Sequence, residues 1–475
     1  MDVLMSNFLN RQKAAVKELV QKLSRRFSYV SVLGTDTLGK RYDVKKTGVS
    51  IKDSMWTERG FVARIYNGVN YFEYSFNDIS GDNVDEIAKR ITEIALDSLN
   101  NMKGRVKISS YPLIQEKEIE KSYTGQVGID PADVSDSDIL KKLNLVKDEG
   151  LNMSDIVVDI RATYECVHVS KIFISTKKDL QQSYIWSQAY IVPFVRENGK
   201  QKFFFKVFSG LKGVELIDEV EPYLRETIET AKGLLNADNI EPGEYDVICS
   251  PEITGLIAHE AFGHGVEMDM FVKRRAKATE YIGKPVASKY VTMHDGASAA
   301  KEVSSYMFDD EGTLAHDTVI IDKGILKTGI SDLLSSLKLK TEPTGNGKRE
   351  SFERKAYSRM TNTFFSGGND KLEDMISSIK YGYFLDGAES GMEDPKNWGI
   401  QCMLFIGREI KDGKFTGRIV SPVIMTGYVP DLLKSISMVS ENVVLFGSGA
   451  CGKGHKEYVK VSDGGPYIKT KARLG

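Results

Sequence analysis

Apolar residues in the opening segment, residues 8–23, recur at helical spacing and end before the basic pair Arg25-Arg26, which suits a helix C-terminus. An amphipathic helix is predicted there. Over residues 29–76 the pattern changes to short alternating or β-branched runs, YVSVLG, GVSIKD, GFVARIYNG and VNYFEYSF, separated by Gly, Asn and Asp turns, which predicts a meander of strands. Asp82-Asn83 then precede VDEIAKRITEIALDSLNNM, a capped helix that closes a first α+β unit near residue 104. Residues 105–130 are polar and irregular and read as a linker, followed by the capped helix SDSDILKKLNLVKDEGL. Residues 156–214 carry period-2 alternation and aromatic enrichment suited to antiparallel pairing, and residues 214–237 read as one further helix. Beyond them, strands such as EYDVICS, TVIIDKGILK and GIQCMLFIGREI dominate and long helices are few.

A chain of 475 residues exceeds the roughly 250–300 that one core can organise. The expected class is therefore α+β and multi-domain: an N-terminal α+β domain over 1–110, a middle antiparallel β domain over 111–240 and a mostly β C-terminal domain over 241–475. No internal repeat appears, which removes solenoids and propellers.

Charge narrows the partners. Lys and Arg number 64 against 66 Asp and Glu, a net charge of -2, so no global field would draw nucleic acid or an anionic membrane, and neither is expected as a partner. The N-terminus has an acid at position 2 and charges every few residues, unlike a secretory signal, and no stretch approaches 18 apolar residues. Four widely spaced cysteines, Cys166, Cys249, Cys402 and Cys451, argue against a disulfide framework and make a reducing cytoplasm the expected compartment. With His168, His259, His264, His294, His316 and His455 they are the soft ligands from which any metal site must draw.

Two of those histidines fall together. The strand-like YDVIC runs into Ser250 as N-cap, Pro251 at the first helical position and Glu252 in the first turn, so a helix delivers His259, Glu260 and His264. Two imidazoles around a Glu resemble a zinc-hydrolase pattern in which the histidines bind metal and the Glu is the general base. The spacing, however, is H-E-x-x-x-H. On a regular helix an i,i+5 pair lies ~140° apart, against ~40° for i,i+4, so the rings would diverge. Gly263 directly before His264 offers a remedy, and a π-bulge or a helix end is predicted there. A third ligand must come from elsewhere. Cys451 is the leading candidate, in the glycine-rich GSGACGKGHKEY with Lys453 nearby to favour the thiolate; Cys166 and Cys402 read as core residues, and Cys249, at the end of the strand before the helix, fits either role, core better than ligand. The same run nearly matches a phosphate loop, but Gly454 stands where Ser or Thr would bind magnesium, and the residues after it alternate like a strand; nucleotide binding is set aside.

HEAFGHGVEMD and ACGKG together resemble the TldD/PmbA family of zinc metallopeptidases, in its metal-competent, TldD-type branch. FDDEGT at 308–313, TGNGKR at 344–349 and RMTNT at 359–363 are similar to further signature runs of that family. The resemblance covers essentially the whole chain and is specific from about residue 243 onward. It implies a Zn2+ ion held by His259, His264 and Cys451, with Glu260 as catalytic base acting on zinc-bound water. It also implies a cytoplasmic peptidase for unfolded or modified peptides, reached through a narrow passage between two subunits, in a homodimer or a heterodimer with a related metal-free subunit. The sequence departs from the family where His455 and Lys456 follow Gly454, so His455 competes with Cys451 as third ligand, and where Ser358 precedes Arg359 in place of Pro.

Other conspicuous residues take plainer readings: FDDEG as a turn with solvated acids, Arg349 and Arg359 in surface ion pairs, and His168, His294 and His316 as structural or exposed. Glu267 and Asp269 stand close enough to orient a ligand imidazole. The competing functional class is a non-catalytic peptide-binding or scaffold subunit with a structural zinc; an open fourth coordination position argues for catalysis.

Overall fold

The computed structural model describes residues 1–102, 110–454 and 457–475. Its first large element is a nine-stranded sheet. The strands run Tyr71–Phe76, Glu58–Tyr66, Val30–Lys45, Val157–Ser175, Lys178–Glu197 and Ile119–Thr124, with three short strands paired along the longer ones. Val30–Lys45 pairs antiparallel with Val157–Ser175 from Ser31↔Ser175 to Val44↔Ala162. The residues expected as separate domains over 1–110 and 111–240 thus contribute to one sheet, and Ile119–Thr124, inside the stretch read as a linker, is a parallel edge strand of it.

The helix Asn7–Ser24 forms for local reasons: the Ser6 hydroxyl accepts from the backbone of Phe8 and Leu9, and Leu9, Val16, Leu19, Val20 and Leu23 make one buried stripe. It packs with Val84–Met102 on the sheet, and together they cover a core that includes Val30, Phe61 and Ile172. Residues 214–237 do not form the single helix expected. A 3-10 turn, Val214–Glu219, and a second, Glu221–Tyr223, precede the helix Leu224–Gly233. Pro222 is the reason, since it has no N–H for the ladder and clashes with the preceding turn.

From Gly243 onward the chain builds a second assembly. The strands Gly243–Cys249, Tyr381–Asp394, Gly399–Lys411, Val423–Tyr428 and Ile468–Leu474 follow one another in a sheet, and the first pairs again with the last, closing a hydrogen-bonded ring. A six-stranded sheet carries Met293–Asp295, Asn362–Phe365, Ser462–Gly465 and Val444–Phe446. The helix that follows Cys249 lies between the ring and this second sheet, and its Ile253, Ile257, Ala258, Ala261 and Phe262 are fully buried in the largest core cluster. Each large apolar side chain so buried contributes about 1.5–3 kcal/mol, which fixes the helix axis before any polar group is placed.

Candidate metal centre

Ser250 takes the extended N-cap conformation before Pro251, although its hydroxyl makes no capping hydrogen bond. The helix Pro251–Leu256 then widens into a π-helical segment, Ile257–Gly263, and the His264 N–H donates to the His259 carbonyl. That i→i+5 bond inserts the extra residue which the H-E-x-x-x-H spacing requires, as predicted. The two imidazoles meet edge to face, with ring centroids 5.1 Å apart and planes at 90°. Gly263 contributes through size, since its φ of -58° is ordinary and a Cβ there would stand 2.1 Å from the Met360 sulfur.

The strand Ala450–Lys453, one arm of a hairpin with Glu457–Lys460, brings Cys451 to the same place. Its Sγ lies 3.4 Å from His264 Nε2, and one ligand atom from each of His259, His264 and Cys451 falls within 4.8 Å of the others. Glu260 is half-buried beside them, with Oε2 4.0 Å from His264 Nε2. Its stem lies against Gly391, where a Cβ would come within 2.6 Å of Glu260 Cγ. All four residues line a cleft of about 960 Å³ whose walls include Leu256, Met270, Met392 and Phe446. His455, the rival third ligand, lies outside the described residues.

Residues 242–472 match the sequence profile described as the PmbA/TldA metallopeptidase C-terminal domain. A metalloprotease of Methanocaldococcus jannaschii is 29% identical over 400 residues, covering 84% of this chain and 86% of that protein. A Saccharolobus solfataricus protein named as a zinc metalloprotease TldD homolog is 31% identical over 238 residues, 50% of this chain and 52% of its own. The fold is shared with TldE of Thermococcus kodakarensis at a TM-score of 0.75 and 18% identity, over 97% of this chain and 100% of that one. The chain belongs to the TldD/PmbA family of metallopeptidases.

In this TldD/PmbA chain the donor set suits one transition metal ion. Zn–N and Zn–S bonds of about 2.0 and 2.3 Å in a tetrahedron put N and S roughly 3.5 Å apart, close to the observed 3.4 Å. Burial raises the Cys451 thiol, but His259 and His264 outweigh it and hold the group well below its ordinary value, as a thiolate. Lys453, expected to favour that thiolate, does something else: its ammonium donates to Glu267 at 2.8 Å, Asp269 at 2.6 Å and the Ser358 carbonyl at 3.0 Å. Glu267 in turn accepts from His264 Nδ1 at 3.4 Å. Of the two acids that could orient an imidazole, Glu267 does so and Asp269 serves Lys453. Burial alone would push Glu267 up, but Lys453, His264 and Arg359 keep it ionised, far below the usual carboxylate range. Glu260 is shifted upward by burial, against the pull of the two histidines.

Arg359 is not at the surface. It is 1% exposed, its guanidinium donates to the carbonyls of Cys451 and, at 3.2 Å, Glu457, and its Nε lies 3.8 Å from Glu267. It therefore pins the hairpin that carries the thiolate. The FDDEG acids are not solvated either. Asp309, Asp310 and Glu311 are buried where the second assembly meets the nine-stranded sheet, with Arg64 at 2.6 Å from Glu311 and Lys171 bonded to Asp310. Arg349, also buried, donates to Glu73 at 3.0 Å. The partners of these charges are remote in sequence, so the local pattern carries no sign of their burial. Cys166, Cys249 and Cys402 are buried thiols, His168 bonds Ser183, His294 stacks on Phe364 and His316 is exposed, as expected. Asp463 joins the site without a sequence signal: its Oδ2 lies 3.7 Å from His259 Nδ1, whereas the S-D-G-G-P run around it reads only as a turn.

Proposed function

We propose that the chain is a zinc-dependent metallopeptidase that hydrolyses peptide bonds in unfolded or modified peptides, with His259, His264 and Cys451 as the zinc ligands and Glu260 as general base. The observation that carries this reading is the convergence of the three donor atoms within 4.8 Å of one another, with Glu260 Oε2 4.0 Å from His264 Nε2. Zinc in a three-ligand site supplies Lewis acidity, lowering the pKa of a water toward ~7 and polarising a carbonyl. Glu260 takes the proton of the attacking water and returns it to the leaving amine; the burial that shifts its carboxyl upward suits a group that must hold that proton. His264 is oriented for its role by Glu267, which Lys453 keeps ionised. The cleft, about 960 Å³ and lined by both apolar and charged side chains, has room for a segment of extended peptide.

A scaffold role with a structural zinc is the weaker reading. Among the described residues only three donors cluster, and structural sites usually close the fourth position with protein. We infer a cytoplasmic enzyme that works as a dimer, with a second copy or a metal-free relative as partner; no helix among the described residues is long and apolar enough to cross a membrane. The test is to reconstitute the chain with one equivalent of zinc and follow cleavage of an unfolded polypeptide such as reduced, alkylated casein. Cleavage that a chelator abolishes and zinc restores is the expected result; tight zinc binding without cleavage by any dimeric form would leave the scaffold reading standing.

A further inference from the structure

The two ligand histidines are not equally provided for. His264 Nδ1 meets Glu267, which is itself fixed by Lys453 and Arg359. His259 Nδ1 is buried and makes no hydrogen bond. An orphaned ring nitrogen on a fully packed helix is costly, and it calls for a partner. The nearest carboxylate is Asp463, with Oδ2 at 3.7 Å, just beyond hydrogen-bond reach.

Asp463 is held there firmly. Its strand, Ser462–Gly465, pairs on one side with Asn362–Phe365, through Thr363↔Asp463, and on the other with Val444–Phe446, through Phe446↔Asp463. The metal-site helix is pressed onto the same strand. Gly255, one helical turn before His259, has no room for a side chain: a Cβ there would lie 2.5 Å from the Gly464 nitrogen and 2.8 Å from Asp463 Oδ1. Gly464 and Gly465 are equally confined, against the Val444 carbonyl at 2.0 Å and Thr254 at 2.5 Å. Three glycines thus bring the helix backbone and the Asp463 carboxylate together, while that carboxylate accepts no hydrogen bond from the described residues and lines the cleft.

We propose that Asp463 is the positioning residue of His259: it takes the Nδ1 proton as a hydrogen bond, fixes the tautomer and leaves the other ring nitrogen free for the metal. The site then has one carboxylate behind each imidazole, Asp463 behind His259 and Glu267 behind His264. Metal-bound histidines usually have such a partner, and losing it commonly costs 10–100-fold in metal affinity. The inference rests on the metal-centre reading above and adds to it a group outside the ligand set.

The test is zinc affinity, measured by competition with a chromophoric chelator, in the full-length wild type, Asp463→Asn and Asp463→Glu, together with the visible spectrum of each cobalt(II)-loaded protein. Asp463→Asn should bind zinc about 10–100-fold more weakly, with displaced cobalt bands and an unfolding temperature of the metal-free chain within a few degrees of wild type. Asp463→Glu, which keeps the charge, should recover part of the loss. A metal-free Asn chain with unchanged zinc affinity and an unchanged cobalt spectrum overturns the proposal. Should the Asn chain not fold, the Glu variant decides: displaced cobalt bands support the role and bands identical to wild type overturn it. A wild-type chain that binds no zinc overturns the metal reading itself, whereas one that binds zinc and is matched by Asp463→Asn overturns this inference alone.

Discussion

Two clusters of buried charge lie in this molecule, and they are built in opposite ways. At 309–311 every acid is answered: Asp309 accepts from the backbone of Glu311 and Thr313 at 2.9 Å and of Gly347 at 2.8 Å, Asp310 from the Arg349 backbone at 2.8 Å, and Glu311 from the Leu333 backbone at 2.6 Å. At the metal centre the polar atoms converge on a common point from a π-turn, a hairpin and a sheet strand, and His259 Nδ1 has no hydrogen-bond partner. Acid content does not separate the two. What separates them is whether the protein answers its own charges at close range: even Glu311 Oε1, which makes no hydrogen bond, has the Arg64 guanidinium at 2.6 Å, whereas His259 Nδ1 has its carboxylate, Asp463, only at 3.7 Å. The first cluster is a joint between the nine-stranded sheet and the second assembly; the second is a site.

The sharpest way to break that contrast is to remove one of the proposed ligands. His264→Ala should lose both zinc and hydrolysis, whereas Glu260→Gln should keep the zinc and lose catalysis by at least about 10²–10⁴-fold, the usual worth of a positioned base. Metal content by mass spectrometry of the native protein, read beside turnover of an unfolded peptide, checks the pair. Normal activity in either variant removes the proposed roles. At the joint the expectation is reversed. Arg64→Ala leaves the buried Glu311 without its cation, and breaking such a pair by deleting one partner costs about 3–5 kcal/mol. The denaturant midpoint should fall strongly while the zinc affinity of the still-folded protein stays within about twofold. A large loss of metal affinity would mean that the two clusters are coupled and the distinction is false.

Local patterns make some of this readable from the residues alone. The helix over 7–24 follows from periodicity, and the H-E-x-x-x-H spacing narrows the turn at 257–263 to a π-bulge or a helix end, of which the fold takes the first. The pairing of 30–45 with 157–175 does not, because alternation tells which face of a strand is buried but not which strand, more than a hundred residues away, will lie beside it. The same limit hides the joint. An F-D-D-E-G run looks like a solvated turn until Arg64 and Lys171 arrive from the other sheet. Arg359 and Asp463 share that character: their meaning lies in a hairpin carbonyl and an imidazole that only the tertiary fold brings near. The break at Pro222 is different, since the proline is visible in the sequence and outweighs the apolar periodicity around it.

The smallest effect expected concerns the pH dependence of the joint. Burial, with the neighbouring Glu311 next in importance, raises the Asp309 carboxyl from 3.8 to about 8. Between those values the folded chain holds a proton that the unfolded chain has released, so each step upward in pH within that window favours unfolding. The stability tied to this proton is complete below about pH 4 and is lost as the pH passes through about 8. Asp309→Asn cannot ionise and keeps one acceptor for the Glu311 and Thr313 N–H groups, so it removes this contribution to the slope. Unfolding temperatures of the two proteins, taken from pH 5 to 9, should therefore diverge in favour of the variant as the pH rises. A constant or shrinking difference would mean that Asp309 is ionised in the folded chain throughout, with Arg64 and the backbone donors sufficient to hold its charge, and the joint would then be a network of fixed ions with no shared proton.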